Sequence, residues 1–149
     1  MKTPLSCWSR LRSLFVSFCI LSALAMSRHA HAQVTVIANN SVSASELSSA
    51  DLHDIFTGTT TSIKGLGDVA PVLLKAGTTH EDFLTRYIGK SDAAFRAGWR
   101  SLLFSGQSTM PRTFDSDAQV VEYVAHTRGA IGYIASSSPH PGAKTMAVR

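Results

Sequence analysis

The chain has 149 residues, a formal net charge of +4, 44% hydrophobic residues and two cysteines. Four of its 14 lysines and arginines, Lys2, Arg10, Arg12 and Arg28, precede Gln33, which leaves ten cations facing ten Asp and Glu in the rest. A balanced charge with no basic cluster interleaved with aromatics excludes the electrostatic footprint of a nucleic-acid-binding protein.

Residues 1–32 read as a cleavable secretory signal, with Lys2, Arg10 and Arg12 in front, an apolar run from Leu14 to Met26, and Ala30-His31-Ala32 before Gln33. The run falls short of the ~20 residues that a membrane-spanning helix needs. Cys7 and Cys19 both belong to this leader, and Cys19 lies inside the apolar run rather than after a cleavage motif, so no lipid anchor and no disulfide are expected. The product is expected in the periplasm. Residues 33–149 have the length of one domain, enough to bury roughly two thirds of the unfolded chain's surface.

Val34-Thr35-Val36-Ile37-Ala38 predicts a short buried strand, with Asn39, Asn40 and Ser41 as the turn after it. Ser48 caps a helix whose Leu52, Ile55 and Phe56 share a face and which ends at Gly58. Thr59 to Asp68 is Thr- and Gly-rich loop, and Pro71-Val72-Leu73-Leu74-Lys75 is a second strand, continuously apolar as central strands are. Thr79 then reads as the N-cap of a helix, with Asp82 as a capping-box partner and Phe83, Leu84, Tyr87 and Ile88 as its apolar stripe up to Gly89.

Ser91 opens another helix, with Phe95, Trp99, Leu102 and Leu103 on one face and Gly106 as its stop. Past a loop around Pro111, Ser116 and Gln119 form a capping box for a helix that buries Val120, Val121 and Val124 before Gly129. Strands at Ile131–Ile134 and Thr145–Val148 close the chain. About four strands and four helices make a small α/β domain with a mixed sheet.

Three segments carry a resemblance: Ile55-Phe56-Thr57-Gly58, the loop Lys75-Ala76-Gly77-Thr78-Thr79 before Phe83, and Gly129-Ala130-Ile131-Gly132-Tyr133-Ile134. In that order they resemble the phosphate-binding proteins of ABC transporters, a branch of the type 2 periplasmic-binding fold. The resemblance covers nearly all of residues 33–149. In that family the middle element is an Asp-Gly-Ser-Gly-Thr loop after an arginine, whose hydroxyls and amides hold the oxyanion. Lys75 stands where that arginine would, and the loop is shorter. Lys offers a point charge in place of a planar two-pronged contact. Family members close two lobes over their ligand, and the resemblance here implies one lobe.

The expected function is therefore a secreted solute-binding domain for a small oxyanion, phosphate first, linked to ABC-type uptake. The expected contacts are Lys75, Gly77, Thr78 and Thr79, joined by Asn40 and Ser41, which follow a strand's carboxyl end, where open α/β sheets place ligands. Set against these are structural roles: a cap for Thr79, a solvated cation for Lys75, a turn for Asn39 to Ser41, core packing for Trp99 and Tyr133, and close backbone approach for Gly132. The alternative function is a lobe without ligand that docks a sensor or transporter ectodomain or self-associates. No cofactor, metal or nucleic acid is expected. Nor is catalysis: the sequence has no Gly-x-Ser-x-Gly elbow, its histidines lack metal-ligand spacing, and His80 beside Glu81 and Asp82 reads as solvated.

Overall fold

β1 (Val34–Asn39) is a β-branched run that becomes wholly buried from Val36 onward, and the main sheet forms around it. In this computed structural model residues 33–149 are described; the predicted leader and both cysteines lie outside them. Chain order continues with β2 (Glu46–Leu47), α1 (Ser49–Thr57), β3 (Ser62–Ile63), β4 (Gly67–Asp68), β5 (Ala70–Leu74) and α2 (Thr78–Phe83). After them come α3 (Asp92–Phe104), β6 (Arg112–Phe114), α4 (Asp117–His126), β7 (Ala130–Ala135) and β8 (Ala143–Val148). Among the described residues no helix is long and apolar enough to cross a membrane.

Six strands form one mixed sheet in the order β2-β8-β1-β7-β5-β6, and β3 pairs with β4 in a separate hairpin. β5, β6 and β7 run parallel to one another, with Leu74 opposite Phe114 and Pro71 opposite Ile131. β1 runs antiparallel to β7, with Val36 opposite Tyr133 and Ala38 opposite Ile131. The carboxyl ends of β5, β6 and β7 therefore share one end of the sheet, and the carboxyl end of β1 lies at the other.

Adjacent residues of β7 show how the layers stack, because successive side chains of a strand point to opposite faces. Toward one face a Cβ on Gly132 would lie 2.8 Å from Val120 of α4. Toward the other, the Tyr133 ring stacks on Phe83 of α2 at 3.7 Å between centroids, with Phe56 of α1 edge-on to both. So α4 covers one face, and the aromatic core lies beneath α1 and α2 on the other. Trp99 of α3 joins that core through its indole N–H, which donates to the Phe56 carbonyl at 3.0 Å.

The predicted helices all form. Ser48, Ser91 and Ser116 each accept a backbone N–H as N-caps, and Gly58 and Gly89 close their helices with positive φ. The capping box at Ser116 is half realised, since Gln119 turns its carbonyl to the Asp115 N–H instead. Three strand pairs escaped the sequence reading: β2 with β8, β6 with β5, and the β3–β4 hairpin inside the Thr- and Gly-rich loop. Each involves a strand of two or three residues, too short to show a period.

One helix start is corrected. α2 begins at Thr78, with Gly77 as its N-cap at φ 106, so Thr79 is the helix's second residue and does not cap it. Glycine tolerates this backbone, which lets the chain turn out of β5 and into helix earlier than a Thr79 cap would. The segment then passes into a π turn, Leu84–Ile88, where the Gly89 N–H reaches back to the Leu84 carbonyl.

Candidate functional site

Lys75 emerges from β5 beside the end of β6: its N–H donates to the Phe114 carbonyl at 2.8 Å. Its ammonium stands 3.3 Å from Asp115, and both side chains are largely exposed. Gly77 follows, and the first bond inside α2 runs from the Glu81 N–H to the Gly77 carbonyl. The N–H groups of Thr78 and Thr79 precede that bond, and no side chain among the described residues caps them. Thr78 is exposed and Thr79 half-buried.

The neighbouring helix start differs. α4 is capped by Ser116, and the Asp117 carboxylate accepts from the Ala135 N–H at 2.9 Å and the Ser138 hydroxyl at 2.6 Å. Its own carboxylate fills the electropositive end of α4. The start of α2 is the open one where the three parallel strands end.

Below the Lys75–Thr79 loop lies a polar chain that the sequence reading missed. His80 is only 2% exposed, where a solvated residue was expected. Its Nδ1 meets the Tyr133 hydroxyl at 2.5 Å and its Nε2 meets Asp92 Oδ1 at 3.0 Å. The Leu74 N–H donates to the same Tyr133 hydroxyl at 3.2 Å. Arg96 Nε donates to both Asp92 oxygens, at 2.7 and 2.8 Å, and its Nη2 donates to the Lys75 carbonyl. The Arg96 bond, foremost, holds the Asp92 carboxyl below its usual range against partial desolvation, and His80 adds to the effect. Burial pushes the Tyr133 phenol well above its usual range, so it stays neutral. The legible signal was Asp92 and Arg96 at i, i+4 just after a helix cap; a partner for His80 twelve residues away was not legible.

Lys75, Gly77, Thr78 and Thr79 lie together as neighbours in the chain. Asn40 and Ser41 are not with them, because β1 runs against β5 and delivers its turn to the far end of the sheet. There Ser41 accepts the Gly129 N–H at 3.0 Å and Asn40 donates to the Gly142 carbonyl at 3.2 Å. Asn39, buried, donates to the Val124 and Ala125 carbonyls at the end of α4 and accepts the Ser41 N–H. Asn39 is committed to the fold, while Asn40 and Ser41 are exposed, and Ser41 lines a cleft of about 430 Å³ with Asp68 and Arg128. A cleft of about 290 Å³ lined by Thr60, Thr61, Ser108 and Arg112 also lies at the starting end of β5 and β6, away from the Lys75 loop. Among the described residues no group of three or more His, Cys, Asp or Glu is placed to hold a metal ion.

No protein-family model matches the sequence, and no curated protein matches it. Solved structures do. An ABC-type phosphate transport receptor from Vibrio cholerae superposes with a TM-score of 0.57 at 19% identity, over 77% of this chain and 45% of that one. An ABC-transporter substrate-binding protein from Clostridium perfringens, with bound phosphate, gives 0.58 at 18% identity, over 77% and 44%. PstS from Borrelia burgdorferi gives 0.57 at 17%, over 78% and 47%. The fold is that of one lobe of a type 2 periplasmic-binding protein. The lobe spans less than half the length of each of these structures. At such identities the likeness speaks for the fold alone.

Proposed function

We propose that residues 33–149 are a secreted solute-binding lobe that takes up a small oxyanion, phosphate first, at Lys75, Gly77, Thr78 and Thr79. The observation that carries this reading is the open start of α2: unpaired first-turn N–H groups, two threonine hydroxyls and one lysine at the joint carboxyl ends of β5, β6 and β7. Such a helix start favours an anion through its N–H groups and its dipole together. The phosphate bound in the Clostridium perfringens structure supports phosphate as the first ligand to try. One lobe leaves the ligand half hydrated, so affinity is modest unless a second chain closes over it, and an ABC transporter is the partner this reading implies.

Thermal unfolding against phosphate, sulfate, molybdate, nitrate and chloride at matched ionic strength tests the proposal. A ligand at a hundred times its dissociation constant adds about 2.7 kcal/mol, a shift of several degrees for a domain this size. Selective stabilisation by one oxyanion, reduced in Lys75→Ala and Thr79→Ala, supports the reading; a flat profile overturns it.

A second reading, a lobe that docks another copy of itself or a partner protein, is favoured by one observation. Leu103, Phe104 and Met110 are the exposed large hydrophobics among the described residues, Phe104 at 87%, and all fall within eight residues of the α3 end. Sedimentation that shifts with concentration and is abolished by Phe104→Ser would favour it.

A further inference from the structure

We infer that Tyr133, His80, Asp92 and Arg96 form a positioning relay that sets the Lys75–Thr79 loop, with His80 accepting at Nδ1 and donating from Nε2. The consequence for a ligand rests on the oxyanion reading above; the relay itself does not. Donor and acceptor chemistry assigns the protons. The Leu74 N–H already points at the Tyr133 oxygen and cannot accept, so the hydroxyl sends its own hydrogen to His80 Nδ1. With Nδ1 as acceptor, the ring hydrogen sits on Nε2 and goes to Asp92 Oδ1. Arg96 closes the chain by gripping both oxygens of Asp92 and reaching on to the Lys75 carbonyl.

The result is a loop held from two directions. Tyr133 in β7 fixes the Leu74 N–H from within the core, while Arg96 in α3 fixes the Lys75 carbonyl from outside. The Lys75 N–H is taken by Phe114, so both backbone polar groups of Lys75 have assigned partners. His80 is the third residue of α2, and its two ring bonds tie the helix's first turn to β7 and to α3. Backbone N–H groups hold an anion best when their directions are fixed beforehand, and the relay supplies that fixing.

The test uses the ¹⁵N-labelled protein and its Arg96→Gln, Arg96→Lys and Tyr133→Phe variants, with three readouts: histidine ring ¹H–¹⁵N correlations, amide exchange from Leu74 to Thr79, and titration with inorganic phosphate. We expect His80 protonated at Nε2 alone in the wild type and still at Nε2 in Tyr133→Phe, which keeps the stack on Phe83 and the Asp92 carboxylate as acceptor, with the Nδ1 resonance shifting as it loses the hydroxyl. Arg96→Gln should speed exchange in the loop about tenfold and leave β1 and β7 protected. Arg96→Lys, which retains a donor for the Lys75 carbonyl, should recover part of that loss. Phosphate affinity should fall about tenfold in Arg96→Gln. A wild-type His80 protonated at Nδ1, or loop exchange unmoved by Arg96→Gln, would overturn the relay. A wild type indifferent to phosphate would overturn the oxyanion reading instead, and the tautomer and exchange results would still decide the relay.

Discussion

A Cβ placed on Gly132 would lie 2.8 Å from Val120 Cγ1 and 3.4 Å from Val124 Cγ2. α4 thus seats directly on the backbone of the central strand β7, and the side chains that replace the missing one are the valines the sequence aims inward. Gly132→Ala should cost about 1–3 kcal/mol through overpacking, although its backbone conformation is open to any residue. Chemical denaturation would measure it, and pairing Gly132→Ala with Val120→Ala should return part of the loss. No return would mean the two residues do not compete for the same space.

Trp99 offers a second packing test, because its role divides into volume and hydrogen bond. The indole is 4% exposed and its N–H is committed to the Phe56 carbonyl, near the end of α1. Trp99→Phe keeps an aromatic in the core but strands that carbonyl, at about 1–3 kcal/mol, whereas Trp99→Ala also opens a cavity and should cost about 3–5 kcal/mol. Equal losses in the two variants would show that the bond contributes nothing of its own.

Stability should fall at both extremes of pH, through two members of the relay. The Asp92 carboxyl is lowered from its ordinary 3.8, so the fold favours its ionised form; its contribution is complete above 3.8 and is lost as pH falls through the folded value. The Tyr133 phenol is raised above its ordinary 10.0, so its contribution is complete below pH 10.0 and is lost as pH rises beyond. Urea midpoints across the pH range should therefore drop less steeply in acid for Asp92→Asn, and less steeply in alkali for Tyr133→Phe, than for the wild type. Parallel curves for wild type and variants would remove these two groups as the cause.

The sequence revealed whatever depends on near neighbours. Although Leu103, expected on the same face as Trp99, is exposed at 47%, Ser48, Ser91 and Ser116 as caps, the buried stripes of α1 and α4, Phe95 and Trp99 in the core and the tight approach at Gly132 all follow from spacing within one element. Strand direction does not. Nothing local to Asn39-Asn40-Ser41 says that β1 opposes β5, and that single fact moves Asn40 and Ser41 from the anion loop to the far end of the sheet. His80 eluded the reading for a related reason: its partners Tyr133 and Asp92 come from β7 and α3, and two acidic neighbours in a first turn look like solvent exposure. Gly77 was seen as part of a phosphate-type loop, but its φ of 106 made it the cap in place of Thr79.

The placement of the two turns gives the sharpest test of where an anion would sit. If phosphate is held at the start of α2, Lys75→Ala removes the one lysine there, and Asn40→Ala and Ser41→Ala change nothing near it. Lys75→Ala should weaken phosphate about tenfold, with less effect at high salt, because an exposed charge is screened within about 10 Å at 0.1 M. The pairing of Lys75 with Asp115, both exposed, is too weak to hold the ammonium away from a ligand. Asn40→Ala and Ser41→Ala should leave the affinity within experimental error. Asn39→Ala should lower stability by about 1–3 kcal/mol, since it strips buried acceptors at the end of α4, yet leave phosphate binding to the folded protein intact. Calorimetric titration of the four variants would read the pattern directly. Loss of phosphate binding in Ser41→Ala with Lys75→Ala unaffected would put the ligand at the opposite end of the sheet, beside Gly129 and Arg128.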